Sequence, residues 1–238
     1  MTRRAYLAEF VMMFLAVTLS FFAENMRQEW SNRAAAREYL QLLADDLHDD
    51  VERLDFSIGF KRKKEAQIDE FIALLRSPDR TQSTARIYYL GRLIPVREPF
   101  YGSEGAIRQL ENTGGLRLLR NHAIIVALNR YIAARAKVYE IQQLRDINSI
   151  QYKLAANRVL DAGVLAPLLN TDTNGDMPYG IRPPEGNPPL FSLAAEDINA
   201  LIYWASNDKG SEEMNRQLMS RLKQEALDLR ARILQELS

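Results

Sequence analysis

Acidic residues set close together on one helix face are the first candidates for chemistry in this chain. Asp45, Asp46, His48, Asp49, Asp50 and Glu52 fall within one short stretch. Asp45 with Asp49, and Asp46 with Asp50, are four residues apart, so in a helix they project together and offer oxygen ligands to a divalent cation. No loop wraps a cation there, and the segment reads instead as a solvated face opposite basic residues of a neighbouring helix. A second echo of metal chemistry runs from Asn170 through Asp172, Asn174 and Gly175 to Asp176, in the manner of the first positions of a calcium loop. Its twelfth position is Ile181, where a bidentate Glu is needed. No metal is expected.

Other chemistries find equally little. There is no Cys, which removes disulfides, thiolate zinc sites and cysteine nucleophiles. His48 and His122 are the two histidines, and neither stands in a spacing that suggests zinc or a hydrolase triad. Gly102, Gly105, Gly114 and Gly115 lack the Lys-Ser/Thr ending and preceding strand of a phosphate loop. No nucleophile is paired with a base. The chain is therefore expected to be no enzyme, with no catalytic residue and no cofactor.

Lys61, Arg62, Lys63 and Lys64 form a basic cluster that could meet anionic lipid or nucleic acid. A straight helix rising about 1.5 Å per residue carries the cluster roughly 50 Å from a membrane-embedded N-terminus, far beyond a Debye length of about 8 Å. It is read as a solvated helix face. Nucleic acid is not an expected partner, because 31 Lys plus Arg balance 31 Asp plus Glu and no net field results.

The elements that carry these residues begin with a membrane signal. Residues 1–24 contain Arg3 and Arg4, then an apolar run from Ala5 to Ala23 without Pro or Gly. That run is close to the roughly 20 apolar residues a span requires. A cleavable signal peptide has the same order, but cleavage after Ala23 would put Phe21 where a small residue belongs. Wound at about 100° per residue, Glu9, Ala16, Ser20 and Ala23 share a stripe, a helix–helix seam of small residues in lipid with one carboxyl group near its end. The lipid bilayer is thus one partner, and a second copy or other membrane-protein subunits the next. Arg3 and Arg4 favour a cytoplasmic N-terminus in a bacterial inner membrane, with the C-terminal domain in the periplasm.

Residues 25–238 read as an all-α extramembrane domain: the span continues as a stalk into an extended helical bundle. Leu40, Leu43, Leu47, Val51 and Leu54 recur at three and four. Gly59 is the first breaker, after which Ile68, Phe71, Ile72 and Leu75 begin a second helical stretch that Ser77 and Pro78 end. Ala85 to Ile94 forms a short helix. Ser103 caps another, closed by Gly114 in the left-handed conformation. Asn121 caps a long helix from His122 to about Leu160 whose expected buried stripe is Ile124, Leu128, Tyr131, Val138, Ile141, Leu144, Ile147, Ile150 and Leu154. Its Tyr131, Tyr139 and Tyr152 belong to core or bundle edge.

Residues 170–192 interrupt the helices with five prolines and three glycines. Such loops often carry function, and Tyr179, Arg182 and Phe191 are its candidate partner-binding residues. Ser192 caps Leu193 to Ser206. Asn207 or Ser211 then starts a last helix with Leu218, Leu222, Ala226, Leu229, Ile233 and Leu237 on one face.

Two stretches carry a resemblance. Ala8 to Phe10 and Phe22 to Asn25, followed by Arg37 to Leu40 and Leu43 to Leu47, form the first; Tyr101 to Leu119, with Leu110, Thr113, Gly114, Leu116 and Leu118 at its centre, forms the second. Together they resemble the signatures of an uncharacterised family of single-span, membrane-anchored bacterial proteins, a domain of unknown function, over about the first half of the chain. The resemblance implies an anchor with a helical extramembrane domain and brings no activity. The expected function is a non-catalytic structural or interaction protein, self-associating or an accessory subunit of a larger membrane complex. The alternative is a periplasmic ligand-sensing helical module that signals through a partner.

Overall fold

The computed structural model describes residues 3–112, 114–170 and 180–238, and the side chains of these except 3–9, 146 and 170. Six α-helices occupy most of that chain: α1 (Arg3–Arg76), α2 (Thr84–Leu93), α3 (Gly105–Asn112), α4 (His122–Val159), α5 (Ala162–Leu165) and α6 (Ala195–Leu237). About 82% of the described residues are helical. Its strands, β1 (Leu169–Asn170) and β2 (Gly180–Ile181), are two residues each and pair antiparallel with Leu169 opposite Ile181. The class is all-α, as expected; the small strand pair was not foreseen.

α1 does not break at Gly59. A Cβ at that glycine would meet nothing within 4 Å, so nothing in the packing requires the residue, and its cost of about 1 kcal/mol in a helix is carried by the buried face on either side. α6 is likewise continuous through Asn207, Gly210 and Ser211. There Asn207 donates to the Tyr203 carbonyl (3.0 Å) and Ser211 to the Asn207 carbonyl (3.1 Å), so residues expected to begin a helix bond back into one already running. Other punctuation is as expected. Asn121 accepts from the Ala123 N–H (3.0 Å), α1 stops at Arg76 before Ser77 and Pro78, and Gly114 has φ 68°.

Two compact units are present. The first comprises Met1–Asp49, Ser103–Leu128 and Asp228–Ser238. Leu40, Leu43 and Leu47 are buried in it with Ile107, Leu110 and Ile124, and with Leu229 and Ile233. α1 and α6 run antiparallel here, since Arg37 donates to the Leu237 carbonyl (2.6 Å) while Arg230 donates to that of Ala44 (3.3 Å). Asp46 accepts from the Ala106 N–H (2.9 Å), meeting an orphan donor at the start of α3, which begins just past Ser103.

The second unit comprises Asp50–Gly102 and Asn129–Leu227. Its core gathers Ile68, Phe71 and Leu75 with Ile87, Tyr88, Tyr152, Val159 and Leu201. Antiparallel pairing of α1 with α6 is again visible in the ion pairs Asp55–Lys223, Glu65–Arg216 and Asp69–Lys209. The Pro-rich stretch after β2 is held by this core: the Tyr88 hydroxyl donates to the Pro189 carbonyl (2.8 Å) and accepts from the Asp161 N–H (3.0 Å), and the Phe191 N–H donates to the Val159 carbonyl (2.9 Å).

Candidate functional site

In the second unit the long helices place charge in the core. The buried residues of α1 follow a seven-residue repeat, Leu40, Leu47, Leu54, Lys61, Ile68 and Leu75, with Leu43, Asp50, Ser57, Lys64 and Phe71 as its companion row. α6 does the same with Ile198, Ala205, Glu212, Met219, Ala226 and Ile233 beside Leu201, Asp208, Asn215, Leu222 and Leu229. On α4 the buried row is Tyr131, Val138, Arg145, Tyr152 and Val159. The repeats are largely apolar, but at one level Lys61 and Lys64, Arg145, and Asp208 and Glu212 all turn inward, with Asp50, Ser57 and Asn215 as further polar members of the rows.

That level corrects the reading of the basic cluster as solvated for Lys61 and Lys64, whereas Arg62 and Lys63 are exposed as expected. Lys61 and Lys64 are only 1% and 2% exposed. Lys64 Nζ stands 3.0 Å from Glu212 Oε1 and 3.7 Å from Asp208 Oδ2, and Lys61 Nζ stands 3.3 Å from Glu212 Oε2. Arg145 reaches Glu212 at 2.5 Å and Asp208 at 3.6 Å. Both lysines also donate to backbone, Lys64 to the Val96 carbonyl (2.6 Å) and Lys61 to that of Glu98 (3.4 Å). Three cations thus share two carboxylates.

The pairing is by charge more than by alignment. Arg145 Nε and Nη2, both Asp208 oxygens, Glu212 Oε1 and the side-chain amide of Asn215 are buried without an aligned hydrogen bond. Burial therefore dominates the protonation of the lysines. It pushes Lys64 down to about 8, against the pull of Glu212, and lowers Lys61 for the same reason. Burial also works against the Glu212 carboxylate, but Lys64, Arg145 and Lys61 outweigh it and hold the acid below its usual range. Such a level can fix helix register, because any slip would leave buried charges opposite apolar residues.

A second buried pair lies in the same unit. Asp50, read from sequence as part of a solvated acidic face, is 1% exposed and accepts a very short hydrogen bond from the Tyr131 hydroxyl. The Arg135 guanidinium lies over the Tyr131 ring at 5.6 Å. Burial and the Asp50 charge raise the Tyr131 hydroxyl well above its ordinary value. Asp45, His48 and Asp49 remain exposed, as does His122. No group of three or more His, Cys, Asp or Glu able to hold a metal occurs among the described residues.

The expected stripe of α4 is only half buried. Tyr131 and Val138 are inside, whereas Leu144, Ile147, Ile150 and Leu154 face outward at 53–61% exposure. Arg145, Ser149 and Tyr152 occupy the inward positions, because the charges on α1 and α6 require a polar partner there. An apolar row is left uncovered along the helix.

The residues expected to form a helix–helix seam fall on the exposed part of α1. α1 is the helix, among the described residues, that is long and apolar enough to cross a membrane by length and composition. Phe10, Phe14, Val17, Phe21 and Phe22 on it are all exposed. Ala16, Ser20 and Ala23 lie on this run, and the Ser20 hydroxyl donates to the Ala16 carbonyl (2.9 Å), which leaves no polar hydrogen facing outward. The Glu9 side chain lies outside the described residues, as does Tyr179. Arg182 and Phe191 are exposed, Phe191 at 71%; the Arg182 N–H donates to the Leu168 carbonyl (3.2 Å).

The first unit contains a cavity of about 410 Å³. Arg33 and Arg37 of α1 face Arg117 and Arg120, with Leu40, Leu118 and Ile124 supplying apolar wall. Glu29 receives Arg33 at 2.8 Å and Arg120 at 2.9 Å, and these hydrogen bonds lower its carboxyl below the usual range. Sequence reasoning passed over this site, because its arginines come from stretches far apart in the chain. Comparisons with protein-family models, with curated proteins and with solved structures each return no match.

Proposed function

We propose that the protein is a non-catalytic, single-span membrane protein that works by association, with itself or as an accessory subunit of a larger membrane complex. The observation that carries this reading is the continuity of α1. One helix runs from an exposed apolar segment into a buried heptad face without a break. The uncovered row Leu144, Ile147, Ile150 and Leu154 adds a surface of the kind that interfaces use. On this reading residues 1–24 anchor a helical-bundle domain on the periplasmic side of a bacterial inner membrane, N-terminus inward. The resemblance to single-span bacterial membrane proteins of unknown function points the same way.

Native mass spectrometry and crosslinking of the full chain in mild detergent test the proposal. Dimers, higher oligomers or a reproducible co-purifying membrane subunit are expected. A strictly monomeric protein with no partner would overturn it.

A further inference from the structure

We infer that the cavity bounded by Arg33, Arg37, Arg117 and Arg120 binds the phosphate-bearing headgroup of an anionic lipid. The inference rests on the membrane reading above and adds a ligand class to it. Four guanidinium groups surround a space with Leu40, Leu118 and Ile124 in its wall. With Glu29 joining Arg33 and Arg120, and Glu236 hydrogen-bonded to Asn121, two positive charges remain in excess. The Arg117 N–H donates to the Gly114 carbonyl (3.0 Å), while its guanidinium has no hydrogen bond or ion pair among the described residues, so the fork is left for a ligand. Guanidinium forks match phosphate oxygens two at a time, while an apolar wall suits glycerol and acyl carbons better than a fully hydrated anion.

The position along α1 favours lipid over a soluble anion. Met26 and Trp30 continue the exposed apolar side of the helix beyond Ala23, and a Trp at the end of a span sits at headgroup level. Arg33 and Arg37 then stand roughly 5 and 10 Å further along the axis, at about 1.5 Å per residue. Arg33 lies within a Debye length of about 8 Å of the lipid surface and Arg37 just beyond one, a range over which a basic residue strengthens binding to anionic lipid. Lys61 and Lys64 share no part in this, being sealed in the core of the other unit.

The test uses the full chain in nanodiscs of phosphatidylcholine alone or with phosphatidylglycerol, followed by native mass spectrometry of retained lipid. Wild type is expected to retain phosphatidylglycerol over phosphatidylcholine. Arg117→Gln and Arg120→Gln should each reduce that preference about five-fold, and Arg117→Lys by less. Equal retention of the two lipids by wild type, or an unchanged preference in both Gln variants, would overturn the assignment. Inorganic phosphate titrated into the detergent-solubilised protein forms the second arm. Saturation by phosphate at the same arginines with no lipid preference would make the site one for a soluble anion and also overturn it. Alkaline carbonate extraction of native membranes separates the two levels: release of the protein removes both the anchor and the lipid site, whereas retention without lipid preference removes the lipid site alone.

Discussion

Lys64 Nζ and Glu212 Oε1 lie 3.0 Å apart with neither side chain more than 3% exposed, which makes them a fully desolvated ion pair between α1 and α6. The pair shares its surroundings with Lys61 and Arg145, so the acid faces three cations. Glu212→Gln would keep the shape and remove the charge that compensates them. Breaking a buried pair from one side costs about 3–5 kcal/mol. Denaturant unfolding of the variant should show that loss, and a change under about 1 kcal/mol would mean that water already reaches the cluster.

The pH dependence follows from Lys64. Its pKa in the folded protein is about 8 against an ordinary 10.5, so between these values the unfolded chain binds more protons than the folded one. Stability should therefore rise as pH increases from 8 towards 10, by on the order of 1–3 kcal/mol. Lys61 is lowered too and adds in the same direction. Above about 10 the sign reverses, because Tyr131 and Tyr152 hold their protons to higher pH when folded than when unfolded. Thermal unfolding at pH 7.5, 8.5 and 9.5 should trace the rise, and Lys64→Met should flatten it. A wild-type midpoint that falls across this range contradicts the assignment.

Tyr131→Phe removes one hydroxyl and leaves the buried Asp50 carboxylate short of its closest donor. A loss of about 1–3 kcal/mol is expected. Tyr131→Phe combined with Asp50→Asn should be less costly than the two single losses added, since the partners are coupled. Strict additivity would show that the bond contributes nothing to folding.

Ala16→Leu with Ser20→Leu would fill the small-residue stripe of the apolar run without altering its length. Membrane insertion should be unchanged while oligomer or subunit capture falls, because close backbone approach is lost. Ile147→Gln tests the uncovered row of α4 separately: exposed at 61%, it should leave stability within about 0.5 kcal/mol. If capture survives both changes, association uses neither surface.

Helices were legible in the sequence because their ends are chemically marked: the Asn121 amide, the missing Cβ of Gly114 and the Ser77–Pro78 pair act there as their chemistry requires. Glycine inside a helix misled, since Gly59 and Gly210 sit in open space and long flanking faces hold α1 and α6 together across them. The charged core was missed for a different reason. Tracing only apolar residues along α4 selects Leu144 and Ile147, whereas the strict seven-residue spacing Tyr131, Val138, Arg145, Tyr152, Val159 passes through a charge and is the row that packs inward. The same spacing through Leu54, Lys61 and Ile68 marks Lys61 as interior. Periodicity carried the signal; residue type concealed it. The arginine cavity had no comparable trace, because nothing in either segment alone says that Arg37 will meet Arg117.

The Tyr88 hydroxyl, which accepts from the Asp161 N–H and donates to the Pro189 carbonyl, joins backbone ahead of the Pro-rich stretch and backbone inside it to one buried ring. Proteases act on backbone that is locally free to fit their clefts, and exposed loops of small and polar residues usually supply that freedom. From Pro183 to Phe191 the composition advertises a cleavable linker, yet Asn187 accepts from the Ala85 N–H of α2, Pro189 is held by Tyr88, and the Phe191 N–H is held by the Val159 carbonyl. The scissile bonds there become accessible when these holds open together, so the nicking rate of this segment reports a local opening of the core around Tyr88.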